Sequence, residues 1–143
     1  MFTVSCSAEI QRPLDEVFAF AGDYANDPSW RAGVLAMVYE TAGPPGVGSR
    51  TRETMRSMGR TVVTVGEVTE YSSARTAFRS VSGPVPCEGS REFAIRPGGT
   101  TFTYSLTLRP AGLLRLLGPL LRAAFARQVR GDVRRLKERL ETR

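Results

Sequence analysis

Residues 112–140 read GLLRLLGPLLRAAFARQVRGDVRRLKERL, Leu-rich at the start and Arg-rich at the end. Within this stretch Leu117, Leu121, Phe125, Val129, Val133, Leu136 and Leu140 recur at spacings of four or three, which places them on one stripe of a helix. Arg127, Arg130, Arg134 and Lys137 step along the opposite stripe. A helix so segregated needs an apolar surface to lie on. Burying its large side chains at about 1.5–3 kcal/mol each outweighs leaving them at an interface. The arginines are then the wet face of a docked helix. Gly118-Pro119 interrupts the pattern, so the spacing predicts a kink, with the Leu-rich start as a movable flap.

The distribution of charge agrees. The chain of 143 residues has a net charge of +6, and residues 1–111 balance 11 arginines against 11 acids. The whole excess therefore lies in the terminal segment. No aromatic stacking platform accompanies it, so nucleic acid is not expected as a partner. The Leu-rich run is far short of the roughly 20 apolar residues that span a bilayer. It leaves a membrane-surface or partner-interaction role open as one alternative. With 41% hydrophobic and 24% charged residues, the composition is that of an ordinary folded chain, read as a single domain over 1–143. No basic–apolar–small succession marks a signal peptide at the start. Two cysteines, Cys6 and Cys87, fit a reduced, cytoplasmic setting.

Upstream, residues 2–11 alternate without fault, with Phe2, Val4, Cys6, Ala8 and Ile10 on one face, as a half-buried strand requires. RPLDEVFAFAGD then places Pro13 and two acids at the start of a short helix. DYANDPSW reads as a second short helix or turn, in which Asp23 and Asp27 are turn and cap residues. Six further strands are expected at 33–41, 47–57, 60–71, 75–82, 89–97 and 100–109, separated by Gly, Pro and Ser signals. Hairpin spacing implies an antiparallel meander. Only the terminal helix is long enough to cover its apolar face, so the sheet must curl around that helix. Such an arrangement readily leaves a cavity.

The stretches RPLDEVFAFAGDYANDPSW, GVGSR, EVTEYSSARTAFRS, PGGTTFTYSL and the tail LLRLLGPLLRAAF…DVRRLKERLE together resemble the START-like (SRPBCC) helix-grip superfamily, closest to its polyketide cyclase/dehydrase-like branch. The likeness covers essentially the whole chain. It implies an α+β fold with a seven-stranded curved antiparallel sheet wrapped around the long C-terminal helix, and two short helices between strands 1 and 2. It also implies an internal cavity for a lipid, polyketide or other small apolar molecule. It supplies no catalytic motif, and whether the chain is an enzyme stays open.

The chemistry-bearing residues are few. Histidine is absent, which removes the commonest general base and metal ligand, so neither a metal nor another cofactor is expected. If Arg50, Arg52 and Arg56 face water, Glu53 faces the cavity, and Arg91 shares an inward face with Phe93 and Ile95. Relatives often carry a bulky aromatic near that position, from which Arg91 departs. Glu53 and Arg91 are thus the candidate catalytic pair, unless a bulge sends both to solvent or they form only a structural ion pair. The cavity-lining candidates are Phe20, Trp30, Met55, Phe78, Phe93, Tyr104, Leu106, Leu117, Leu121, Phe125 and Gln128, with Val4 and Cys6 from the first strand. A buried Tyr104 hydroxyl is expected to find a backbone partner. Binding of a small hydrophobic ligand is the leading expectation, and a polyketide cyclase or dehydratase using the same cavity is the alternative. A homodimer is also open.

Overall fold

The computed structural model describes residues 1–57 and 59–143. The chain forms β1 (Phe2–Ile10), α1 (Leu14–Ala21), a 3-10 turn (Tyr24–Ser29), β2 (Val34–Tyr39), β3 (Arg50–Ser57), β4 (Arg60–Tyr71), β5 (Arg75–Ser82), β6 (Cys87–Arg96), β7 (Gly99–Leu108), α2 (Leu113–Leu116) and α3 (Gly118–Glu141). All seven strands join one antiparallel sheet in the order β1-β7-β6-β5-β4-β3-β2. The helix-grip architecture expected from the sequence is the one observed.

Alternation explains the sheet's two faces. On the outer face of β1 and β7, Thr3 meets Thr107, Ser5 meets Ser105 and Ser7 meets Thr103, each through hydroxyl hydrogen bonds of 2.7–3.0 Å. Inward, Val4, Ile10, Phe93, Phe102, Leu106 and Leu108 pack against Val129, Val133, Leu136 and Leu140 of α3. Register shifts at Val34/Ala36, Val65/Gly66 and Val68/Glu70 bend the other half of the sheet. Gly33 enters β2 with φ of +85°, and a side chain there would strike the Arg56 carbonyl at 2.9 Å. Glycine alone fits both conditions.

The terminal segment breaks rather than kinks. α2 is a single turn, Leu117 makes the break, and α3 starts afresh with Pro119 in its first turn, where its missing N–H costs nothing. The stripe is therefore continuous only from α3 onward. Leu117 is 47% exposed, because the restart at Gly118 takes it out of phase. At its other end α3 is tied to the loop after β1: Gln11 N–H donates to Glu141 at 2.8 Å and the Arg12 guanidinium to the Glu141 carbonyl at 2.8 Å. Lys137 bonds Glu141 across one turn at 2.9 Å. No helix among the described residues is long and apolar enough to cross a membrane.

One helix cannot cover seven strands. α3 rides over the β1 side, and a second apolar cluster of Tyr24, Val34, Met37 and Val68, flanked by Met55, Tyr71 and Phe78, forms on the far half of the sheet. A cavity remains between the two.

Candidate functional site

The cavity measures about 510 Å³. Its apolar wall comes from Met37, Met55, Val62, Phe78, Leu106 and Leu108 of the sheet, with Phe125 and Val129 of α3. Phe78 reaches into it because β6 carries glycine opposite. A Cβ at Gly89 would lie 2.7 Å from the Phe78 ring. On α3 the cavity face is Phe125, Gln128, Val129 and Asp132, the i, i+3, i+4, i+7 set of one helical side. One end is open, framed by exposed Arg60 and Pro84, with Ser57, Val85 and Leu114 behind them. The other end is closed and polar, made by Arg31, Thr51, Glu53, Tyr104 and Asp132.

Behind this floor runs a buried ionic chain. Arg91 donates to both oxygens of Asp27 at 2.8 and 2.7 Å and to the Ala21 carbonyl at 2.9 Å. Asp27 Oδ2 also accepts from Arg31 at 3.0 Å, and the same Arg31 nitrogen donates to Glu53 Oε2 at 2.7 Å. Arg91 is further sandwiched by rings, 4.3 Å from the Tyr24 centroid and 5.0 Å from that of Trp30. Two cations thus alternate with two carboxylates, the only form in which so much charge is tolerated in a low-dielectric interior. Arg91 and Asp27 are 1% and 0% exposed, whereas the Glu53 side chain retains 15%.

Glu53 and Arg91 do not pair directly, as the sequence led one to expect. Arg31 and Asp27 stand between them, and Arg91 lies behind the cavity wall rather than in it. Asp27 is no mere turn residue: Asp23 caps the 3-10 turn through Ala25 N–H at 3.0 Å, which frees Asp27 to turn inward. The Asp27–Arg31 spacing of four was the legible signal for this pair.

Of the expected wall residues, the structure brings Met55, Phe78, Tyr104, Leu106, Phe125 and Gln128 to the cavity. Trp30 and Phe93 are instead consumed by the core, Trp30 edge-on to Phe102 and Tyr104, Phe93 between Phe18 and Phe102. Val4 and Cys6 belong to that same core on the helix-covered side. Phe20 faces the far end of the molecule under Arg139 and Arg143. Leu117 is exposed, and Leu121 is buried away from the cavity, whose wall at that level is supplied by Leu114.

Asp132 was not anticipated, although it lies on the face of Phe125 and Val129. Its Oδ1 accepts from Ala32 N–H at 2.9 Å and from Arg135, and burial pushes its carboxyl above the usual carboxylate range. Tyr104 finds no backbone partner: its hydroxyl makes no hydrogen bond among the described residues, and the residue is 1% exposed. Burial pushes its phenol up to about 12, against the opposing pull of Arg31 and Arg91. Among the described residues no three His, Cys, Asp or Glu side chains converge in a way that would hold a metal ion.

A curled sheet gripping one helix over a closed-ended apolar cavity defines the START-like class. The family described as polyketide cyclase/dehydrase and lipid transport matches residues 1–141, and the chain belongs to that family. No curated protein matches the sequence. Among solved structures, the chain is similar to a protein of Thermus thermophilus, with a TM-score of 0.84 at 23% identity over 99% of this chain and 98% of that one. It is also similar to a START superfamily protein of Mycobacterium smegmatis, with a TM-score of 0.80 at 15% identity over 98% and 97% of the two chains. The Zhui aromatase/cyclase of a Streptomyces species aligns with a TM-score of 0.79 at 16% identity over 99% and 94%. At these identities the likeness establishes the fold.

Proposed function

We propose that the protein binds a small hydrophobic molecule in the cavity between its sheet and α3. The observation that carries this reading is an apolar space of about 510 Å³ with a few polar groups gathered at its closed end, the size and make-up of ligand pockets in general. Met55, Phe78, Leu106 and Phe125 supply the apolar contact, and Tyr104, Arg31 and Gln128 the orienting groups. Titration with the neutral fluorophore N-phenyl-1-naphthylamine tests it. Saturable binding is expected, and Met55→Trp, which narrows the cavity between β3 and α3, is expected to weaken it at least about tenfold. Unsaturable binding, or a Met55→Trp protein that binds equally well, rules the reading out.

A second reading, cyclisation or dehydration of a polyketide-like chain, is favoured by the Tyr104 hydroxyl and the Glu53 and Asp132 carboxylates sharing one apolar space. Here Tyr104 and Arg31 would hold a carbonyl or enolate oxygen, and a carboxylate would take the proton from the adjacent carbon. Glu53 remains the candidate from the sequence, while Arg91 would act only by fixing Asp27 and, through it, Arg31. On this reading Glu53→Gln or Asp132→Asn abolishes turnover of a poly-β-ketone while probe binding persists. Full turnover in both variants excludes it.

A surface role has its own observation. Leu113, Leu116 and Leu120 are exposed beside Arg115 and Arg122, and residues 112–131 contain no acid. Co-sedimentation with anionic liposomes, lost on replacing the three leucines by serine, is the expected result for a membrane-contacting surface. Equal sedimentation of the two proteins rejects it.

A further inference from the structure

Two glycines sit in mid-strand in the sheet beside the cavity, Gly66 in β4 and Gly89 in β6, where an interior glycine weakens a strand. Neither has a positive φ, so no turn or left-handed backbone calls for glycine at either place. What they share is a neighbour. On β5, which runs between them, Phe78 pairs with Gly89 on one side, and Gly66 is its diagonal neighbour on the other, two residues from its partner Val68. A Cβ at Gly89 would stand 2.7 Å from Phe78 Cε1 and 3.3 Å from Cζ, and one at Gly66 would stand 3.4 Å from Cδ2. Cε1 and Cδ2 are opposite corners of the ring. The ring therefore spans both glycines at the height where their side chains would begin.

The ring has one direction in which to give way. Tyr24 stands edge-on to it, at 6.0 Å between centroids, and is itself buried with its hydroxyl donating to Thr76 at 3.3 Å. The backbones of β4 and β6 flank it. The remaining side is the cavity, which Phe78 lines. A methyl group at position 89 would lift the ring into that space by about 1 Å, the shortfall of 2.7 Å from an ordinary carbon–carbon contact of about 3.5–4.0 Å. The other neighbour of that methyl, the Ser105 carbonyl oxygen at 3.2 Å, would have to yield by only a few tenths of an ångström. Ligands feel a raised ring unequally. A straight chain rotates about its bonds to pass it, whereas a rigid fused-ring molecule meets it as overpacking.

Building on the cavity reading above, we propose that Gly89 is a specificity-determining residue: with Gly66 it lets Phe78 lie low across the sheet, and so sets a girth that admits rigid ring systems as well as straight chains. Displacement of N-phenyl-1-naphthylamine by phenanthrene and by 1-decanol tests this, each competitor's dissociation constant being calculated from the probe affinity of the same protein. The parent protein is expected to bind both. Gly89→Ala is expected to weaken phenanthrene at least about tenfold and 1-decanol less than about threefold. Adding Phe78→Leu to Gly89→Ala removes the lifted ring, and phenanthrene affinity is expected to return to within about threefold of the parent. Equal changes for the two competitors, or no recovery in the double variant, overturn the inference. A Gly89→Ala chain that does not fold, by circular dichroism, overturns it too, because the ring would then have no free space to move into. If the probe fails to bind the parent protein, the cavity reading falls and this inference with it. If the probe binds but the parent rejects phenanthrene, this inference alone falls.

Discussion

Asp27 holds two buried guanidiniums at once, and removing it would leave both without their shared carboxylate. Asp27→Ala is therefore expected to cost at least about 3–5 kcal/mol in urea unfolding. Glu53→Gln, by contrast, is expected to cost less than about 2 kcal/mol, because Arg31 keeps Asp27 and an amide oxygen still accepts from it. Equal losses would show that the four charges do not form the chain described. Tyr104 gives a pH signature. Its phenol ionises near pH 10 in an unfolded chain and only at about 12 in the folded one, so folding favours the protonated form. The associated stability is complete below pH 10 and is lost as pH rises toward 12, an amount of up to about 3 kcal/mol. Tyr104→Phe should flatten that part of the decline in unfolding midpoints between pH 9 and 11.5. An unchanged slope would contradict the burial of Tyr104. At this scale the sequence was only partly legible. Alternation along β3 places Glu53 inward and the spacing of four offers the Asp27–Arg31 pair, but the links from Arg31 to Glu53 and from Asp27 to Arg91 join the turn region to two strands whose meeting no local pattern encodes.

Among the elements, α3 carries the core and α2 does not. Leu136 is fully buried, so Leu136→Ala is expected to lower stability by about 2–5 kcal/mol. Leu116 is 79% exposed, and Leu116→Ala should lie within about 0.5 kcal/mol of the parent. Thermal unfolding of the two variants distinguishes a docked α3 with an undocked α2 from one continuous docked helix, for which both changes would destabilise. The strands were readable to within two or three residues because their inner faces alternate with hydroxyl-bearing outer ones. The phase of α3 was readable because Val129, Val133, Leu136 and Leu140 keep one face. The outcome at Leu117 was not, since Pro119 permits either a kinked helix or a new start. The choice falls to the new start, in which proline needs no donor.

For the molecule as a whole, the decisive fact is geometric: a seven-stranded sheet curls further than one helix can fill. Length and element order were enough to expect a cavity. Its wall was legible where strand alternation and helix phase agree, at Met55, Phe78, Tyr104, Leu106, Phe125 and Gln128. It was not legible at Trp30 or Phe93, because an inward-facing aromatic satisfies the same pattern whether it meets a helix or a void. The division of the sheet into a helix-covered half and an open half decides that, and it is a property of the assembled fold. The open half is where we propose that a hydrophobic molecule sits. A crystal structure of protein purified without detergent and soaked with 1-decanol measures it most directly. Continuous density is expected between Phe78, Leu106 and Phe125, with its polar end at Tyr104. A cavity closed by its own side chains, with no room for a ligand, would contradict it.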